Sequence, residues 1–310
     1  MHYDIIIIGS GPAGLAAGLY AARGQMRTLI LEKGGFGGQI ATSWEVENYP
    51  GAPADTTGPS LTERMREQCV DFGVEFQTEE FKYFEKTGQT FEVTTSSTVY
   101  QTKAIIVATG AQPKLLGCPG ELEFRGLGVS YCATCDANFF RNLEIAVVGG
   151  GDTAIEEAIY LTKFASKVTV IHRRDKLRAA KVLQERAMEN EKIRFVWDSV
   201  VEEIKGDGLV QSIVVKNVKD GALTEIPVQG VFVYVGQIPH TQYFVGTLEK
   251  DARDYLITDE DMCTNIPGVF AAGDVRRKSL RQGVTAAGDG AIAAVSAIKY
   301  IEDYSEVAES

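Results

Sequence analysis

Apolar residues fall into short continuous runs that stop at glycine, the pattern of strands buried on both faces of a parallel sheet. Ile5-Ile6-Ile7-Ile8 runs into Gly9-Ser10-Gly11-Pro12-Ala13-Gly14, a Gly-x-Gly-x-x-Gly turn. Ile145-Ala146-Val147-Val148 runs into Gly149-Gly150-Gly151-Asp152-Thr153-Ala154, the same turn with Ala in the last small position. A helical stretch comes after each, Leu15 to Arg23 and Ile155 to Phe164, and then a second apolar strand, Thr28 to Leu31 and Val168 to Ile171. The repeat predicts two βαβ dinucleotide modules.

A third strand-to-glycine turn comes late, where Val269-Phe270 runs into Ala271-Ala272-Gly273-Asp274 ahead of an Ala/Gly-rich helical stretch from about Val284 to Tyr300. It suggests that the carboxy-terminal segment completes the first module and that the second is an insertion. The fold expected is α/β, with two Rossmann-like three-layer dinucleotide-binding domains, the second inserted in the first. Residues 1–115 and 243–310 would form one, discontinuous in sequence, and 116–242 the other. Turn-rich Gly117-Cys118-Pro119-Gly120 and the stretch from Gly236 to His240 are the candidate hinges. Val74 to Phe76, Phe91 to Thr95 and Ile213 to Val218 are read as antiparallel strands.

Bulk properties narrow the function. A chain of 310 residues has room for two cores. Its net charge of −11 argues against nonspecific nucleic-acid binding, which depends on Lys and Arg neutralising phosphates. No uninterrupted apolar run approaches the roughly 18 residues of a membrane span, and the amino terminus reads as a strand rather than a signal peptide. A cytoplasmic protein is expected, bound to neither membrane nor nucleic acid. Five cysteines are too few for a disulfide framework.

The two glycine turns lead to different residues at the end of the next strand. In the first, Gly9 gives the tight turn, Gly11 lets the backbone approach a pyrophosphate, and Gly14 lets the helix pack close to the strand. Free N–H groups at the helix start then face the phosphates. Glu32 closes the second strand, placed to accept hydrogen bonds from a ribose with free hydroxyls and to repel a 2′-phosphate. In the second module His172-Arg173-Arg174 and Arg178 stand in its place, and guanidinium forks suit a 2′-phosphate. FAD is therefore assigned to the first domain and NADPH to the inserted one, with Gly149, Gly151, Asp152 and Thr153 at its turn.

Cys132-Ala133-Thr134-Cys135 can close a small disulfide ring, and such a pair can lower a thiol pKa enough for exchange near neutrality. Zinc would need a second Cys/His pair, whereas Cys69, Cys118 and Cys263 are isolated, so no metal site is expected. A purely structural bridge is disfavoured in a reducing cytosol. Two buried thiols without chemistry are the blandest account. Between two nucleotide modules the redox reading is preferred. Asp136 comes next in the chain as a candidate proton carrier, and the three isolated cysteines are read as core residues.

Over nearly its whole length the sequence resembles the bacterial-type thioredoxin reductases of the pyridine nucleotide-disulfide oxidoreductase family. Besides the turns above, the matching residues are Gly37-Gly38-Gln39, Glu45-Val46-Glu47-Asn48-Tyr49-Pro50-Gly51, Cys132-Ala133-Thr134-Cys135-Asp136, Gly273-Asp274-Val275 and Arg281-Gln282. The resemblance implies that FAD is held by Glu32, Lys33, Gly38, Gln39, Gly273, Asp274, Arg281, Gln282 and Gly283 together with Gly9, Gly11, Pro12, Ala13 and Gly14. Asn48 would lie near the isoalloxazine. Cys135 would face the flavin, Cys132 would attack thioredoxin, and Asp136 would be the general acid/base. It further implies a homodimer in which the inserted domain rotates, so that nicotinamide and disulfide take turns at one flavin face. Ala137-Asn138 and His240 depart from the family pattern. Two rival readings are a ferredoxin-dependent flavin reductase, which leaves Arg173 and Arg174 idle, and a redox or nucleotide sensor that never turns over.

Overall fold

The computed structural model describes residues 1–43 and 46–309, with side chains through Asp303; Trp44, Glu45 and Ser310 lie outside the described residues. The chain runs β1 (His2–Ile8), α1 (Pro12–Arg23), β2 (Thr28–Glu32), α2 (Gly58–Asp71), β3 (Glu75–Thr78), β4 (Phe81–Thr87), β5 (Thr90–Thr95), β6 (Val99–Val107) and β7 (Ala111–Pro113). It continues with β8 (Val129–Ser130), α3 (Ala133–Asp136), β9 (Glu144–Val148), α4 (Asp152–Leu161), β10 (Lys167–Ile171), α5 (Lys181–Met188) and β11 (Ile193–Val196). The remainder is β12 (Ser199–Asp207), β13 (Leu209–Asn217), β14 (Leu223–Pro227), β15 (Gly230–Val233), β16 (Gln237–Pro239), β17 (Val269–Ala271) and α6 (Gly283–Glu309). Two compact units result: Met1–Gln112 with Ile238–Ser310, and Pro113–Gln237.

In the first unit β3, β2, β1 and β6 lie side by side in parallel, and β17 adds to the outer edge of β6 through Val269↔Ile105 and Ala271↔Val107. The late strand thus completes the early module. The antiparallel reading of Val74 to Phe76 does not hold. β3 pairs in parallel with β2, Leu29 opposite Glu75, because α2 carries the chain back across the sheet. That helix begins in a capping box between Thr57 and Ser60, with proline in its first turn. β4, β5 and the first half of β6 form the antiparallel meander, with Phe91 opposite Thr102.

Alternate residues of β1 feed two cores. Ile5 and Ile7 meet the alanines of α1 and α6, while Ile6 and Ile8 meet Phe91, Val93 and Phe244 beneath the meander. Contact between the two helices is close enough that a Cβ on Gly290 would lie 2.0 Å from the Ala13 carbonyl oxygen. Residues 283–303 of α6 are long and apolar enough to cross a membrane by length and composition. Asp289 and Lys299 divide this stretch, so the sequence holds no uninterrupted apolar run of spanning length there. Here Ala293, Ala294 and Ala297 are fully buried in the core.

The second unit repeats the plan. β11, β10, β9, β15 and β8 form a parallel sheet, with α4 packed on one face. The antiparallel β12–β14 layer covers the other, where Val201, Ile204, Ile213 and Ile226 meet Ala146, Val148 and Val231. Each unit is a three-layer Rossmann-type domain.

Candidate functional site

The first glycine turn is fixed by sterics. Gly9 has φ +107°, and a Cβ there would stand 2.4 Å from the Ala108 carbonyl oxygen. A Cβ on Gly14 would fall 1.9 Å from the carbonyl oxygen of Gly9, so helix and turn touch backbone to backbone. Pro12 occupies the first turn of α1, where a missing N–H costs nothing, and Gly11 at the N-cap supplies no side-chain cap. The amides of that helix start remain available to an anion.

Three distant segments converge on this turn. Gly38, at φ +66°, approaches Gly11 so closely that a Cβ would lie 2.9 Å from the Gly11 Cα. Gly273 rests on Ala13, where a Cβ would come within 2.8 Å of the alanine methyl. Ser10, fully buried and unmarked by any motif rule, donates both its amide (3.1 Å) and its hydroxyl (2.8 Å) to Glu32 Oε2. Gly34 donates to the other oxygen at 3.1 Å. These three donors pin the carboxylate while leaving acceptor capacity on both oxygens. Lys33 and Gln39 are exposed.

Asn48 Nδ2 donates to Gln282 Oε1 at 3.1 Å, joining residues 234 positions apart, and Gly283 lies against Ile40 and Tyr49. Glu45 of the same motif is outside the described residues. Among the described residues, Asp274 Oδ1 and Arg281 Nε are buried with no hydrogen-bond partner. Burial pushes the Asp274 carboxyl up, with Lys278 and Arg281 opposing. Arg281 also places its guanidinium 4.0 Å from the Tyr255 ring centre. A buried acceptor and a buried donor without partners, beside an uncapped helix start, fit a ligand that carries hydroxyls and phosphates. Asp289 is a further residue that motifs do not mark. Its Oδ2 accepts from the Gly273 amide (3.0 Å), Arg276 (3.2 Å) and Lys278 (2.8 Å).

The second turn differs in its support. Gly149 again abuts backbone, a Cβ there lying 2.5 Å from the Tyr234 carbonyl oxygen, but Gly150 lies on the His172 ring and Gly151 faces open space. Gly151 is the N-cap of α4 and again gives no side-chain cap. Arg178 donates its amide to the Gly150 carbonyl (2.7 Å), and Asp152 Oδ1 accepts from the Ala180 amide (2.7 Å). The arginine-bearing loop is thereby clamped to the turn at two points. Thr153, Arg173, Arg174 and Arg178 are exposed.

His172 turns inward. It is 5% exposed, and its Nε2–H donates to the Lys176 carbonyl at 3.1 Å. Burial depresses its pKa, and the charges of Arg178, Arg174 and Arg173 depress it further. The imidazole therefore serves as a neutral floor beneath Gly150, with three cations gathered around it.

Cys132 and Cys135 form a disulfide at the α3 turn, next to β8 of the second unit. Backbone amides of the motif are held by side chains: Cys132 N–H donates to Ser130 Oγ (3.1 Å) and Ala133 N–H to Tyr234 Oη (2.6 Å). Asp136 is half-buried, and its Oδ2 accepts from the Ser130 hydroxyl at 2.5 Å. Burial raises the Asp136 pKa and the Ser130 hydrogen bond lowers it, with burial the larger effect. Ala137, which departs from the family pattern, has φ −55°, so its backbone conformation suits any residue. Asn138 accepts from Arg141 at 3.1 Å.

The other thiols are unlike this pair. Cys69 is fully buried in the first core, with its thiol pushed up to about 12. Cys118 is pushed up to about 11, and Cys263 is also raised, each chiefly by burial. At neutral pH all three stay protonated and poorly nucleophilic.

Residues 3–290 match the family model described as pyridine nucleotide-disulphide oxidoreductase. A thioredoxin reductase from Peptoclostridium litorale is 56% identical over 307 residues, covering 97% of this chain and 98% of its own. The crystal structure of a thioredoxin reductase from Streptococcus pyogenes MGAS5005 matches at 50% identity with a TM-score of 0.93, over 97% of this chain and 99% of that one. A thioredoxin reductase structure from Giardia duodenalis matches at 38% identity and a TM-score of 0.91, with the same coverage.

Proposed function

Because the chain belongs to the pyridine nucleotide-disulphide oxidoreductase family, we propose that it is an NADPH-dependent thioredoxin reductase with FAD as its resident cofactor. The observation that carries this is the Cys132–Cys135 disulfide, placed in the unit whose glycine turn is ringed by Arg173, Arg174 and Arg178. FAD, held by the first unit, would supply the two-electron chemistry that links NADPH to that disulfide.

Residue roles come from the donor sets. The α1 start and Gly11 take the FAD pyrophosphate, Glu32 takes the adenosine ribose, and Asp274 Oδ1 and Arg281 Nε supply an acceptor and a donor to the rest. Gln39, Asn48, Gln282 and Gly283 complete the first-unit site. In the second unit the α4 start takes the NADPH pyrophosphate, with Thr153 beside it. Arg173, Arg174 and Arg178 read the 2′-phosphate, and His172 and Asp152 hold the arginine loop in place. The cofactor domains are assigned as residues 1–115 with 243–310 for FAD and 116–242 for NADPH.

Once reduced, the Cys132 thiolate attacks a sulfur of the thioredoxin disulfide. A mixed disulfide forms, the partner's S–S bond breaks, and the leaving sulfur takes its proton from the Asp136 carboxyl. Cys135 then displaces the second sulfur, passes it a proton and re-forms the internal disulfide. One dithiol and one disulfide have exchanged. Burial shifts Asp136 toward its protonated form, the direction a proton donor requires.

A homodimer is the assembly proposed. Val284, Ile292 and Val295 leave an exposed apolar stripe along α6, 39–41% exposed at helical spacing, which suits a second copy. A reducing cytoplasm suits a disulfide that must be opened in each cycle. Steady-state assay with thioredoxin disulfide tests the function. NADPH oxidation that depends on thioredoxin is expected. Activity only with reduced ferredoxin, or none with either donor, would select one of the rival readings.

A further inference from the structure

Ser130 is one of the few buried polar residues in the second unit, 4% exposed, and its single hydroxyl proton has two acceptors within reach. One is Asp136 Oδ2 at 2.5 Å and the other is the Cys132 carbonyl at 3.3 Å. The same Oγ accepts the Cys132 amide at 3.1 Å. With Asp136 ionised, the hydroxyl donates to its carboxylate. With Asp136 protonated on Oδ2, that proton can donate to Ser130 Oγ, and the serine proton then turns to the Cys132 carbonyl. The charge on Asp136 and the peptide group of Cys132 are thus joined through one rotatable hydroxyl.

We propose that Ser130 is a positioning residue that stabilises ionised Asp136 and transmits its protonation to the backbone of Cys132. The proposal rests on the general-acid reading of Asp136. A hydrogen bond to the charged form favours that form, so it opposes burial and keeps the carboxyl able both to release and to regain its proton. Besides the Cys132 and Cys135 thiols of the reduced protein, Tyr234 lies at this network, and Glu157 of α4 lies next to Tyr234. Burial holds the Tyr234 phenol neutral throughout the accessible range. Glu157 is raised by burial and by Glu156, the same direction as Asp136, so the two must be told apart.

The test is single-turnover exchange between the full-length protein, reduced beforehand with NADPH, and thioredoxin disulfide from acid to alkaline pH. The parent rate should fall as pH rises through the ionisation of Asp136. In Ser130→Ala the carboxylate loses a donor and its pKa rises, so the falling limb should move up by about one pH unit. Ser130→Cys, a weaker donor of similar size, should move it part of the way. Infrared difference spectra of the Asp136 carboxyl, identified by its loss in Asp136→Asn, should shift in parallel. Glu157→Gln should leave the limb in place.

A limb and carboxyl band that stay put in both Ser130 variants would overturn the inference. Loss of the limb in Glu157→Gln would overturn it too. A parental limb in Asp136→Asn would instead remove the general-acid reading beneath it, a distinct result.

Discussion

The two glycine turns share a backbone plan and differ in the side chains that surround them. Around the first, Ser10, Gly34 and Glu32 build an anionic pocket wall and Gly38 presses onto Gly11. Around the second, the acid is gone, the wall is His172 packed under Gly150, and Arg173, Arg174 and Arg178 crowd the loop. If the proposed roles hold, specificity between two similar dinucleotides would reside in the strand end beyond each turn, not in the glycines. The comparison also separates glycines demanded by packing from glycines left open.

The largest effect should come from the reacting sulfur. Cys132→Ser should abolish thioredoxin reduction while NADPH still bleaches the bound flavin, as checked by stopped-flow absorbance. Normal turnover would show that another thiol exchanges.

Gly14→Ala forces a methyl into the Gly9 carbonyl, an overlap too deep for side-chain adjustment. Loss of bound flavin and a fall in stability of about 3 kcal/mol or more are expected by thermal melting. Gly151→Ala meets nothing within 4 Å. It should melt like the parent yet bind NADPH more weakly, because the methyl would occupy the space where the proposed site takes the phosphate. Equal damage from both would erase the distinction between the turns.

Arg173→Ala with Arg174→Ala should raise KM for NADPH roughly tenfold or more and leave KM for NADH nearly unchanged, as loss of charge-assisted bonds to one phosphate predicts. Equal changes would show that the arginines do not read the 2′-phosphate. The smallest effect is assigned to Ser10→Ala. Glu32 keeps its Gly34 bond and that of the Ser10 amide, so flavin affinity should drop only a fewfold.

Much of this architecture is readable in sequence because it is local. A strand, a glycine turn and a helix are adjacent in the chain, as are Cys132 and Cys135. The third turn at Gly273 betrays the insertion for the same reason. What escapes depends on distance. Nothing near Ser10 announces that Glu32 will be its acceptor, nor does anything near Asp289 announce Gly273, Arg276 and Lys278. Val74 to Phe76 looks antiparallel in sequence because the pairing direction is set by α2, a crossover helix whose capping box lies well upstream at Thr57. His172 can be placed beside the arginines from sequence. Its inward turn is set by the absence of a Cβ at Gly150, one strand away.

An anaerobic titration of the purified protein, followed by its visible absorption, tests the central claim most directly. Stepwise NADPH should bleach a flavin band, and thioredoxin disulfide should then restore it in proportion to the disulfide added. A protein that shows no flavin band even after reconstitution, or a band that NADPH leaves unchanged, would contradict the account.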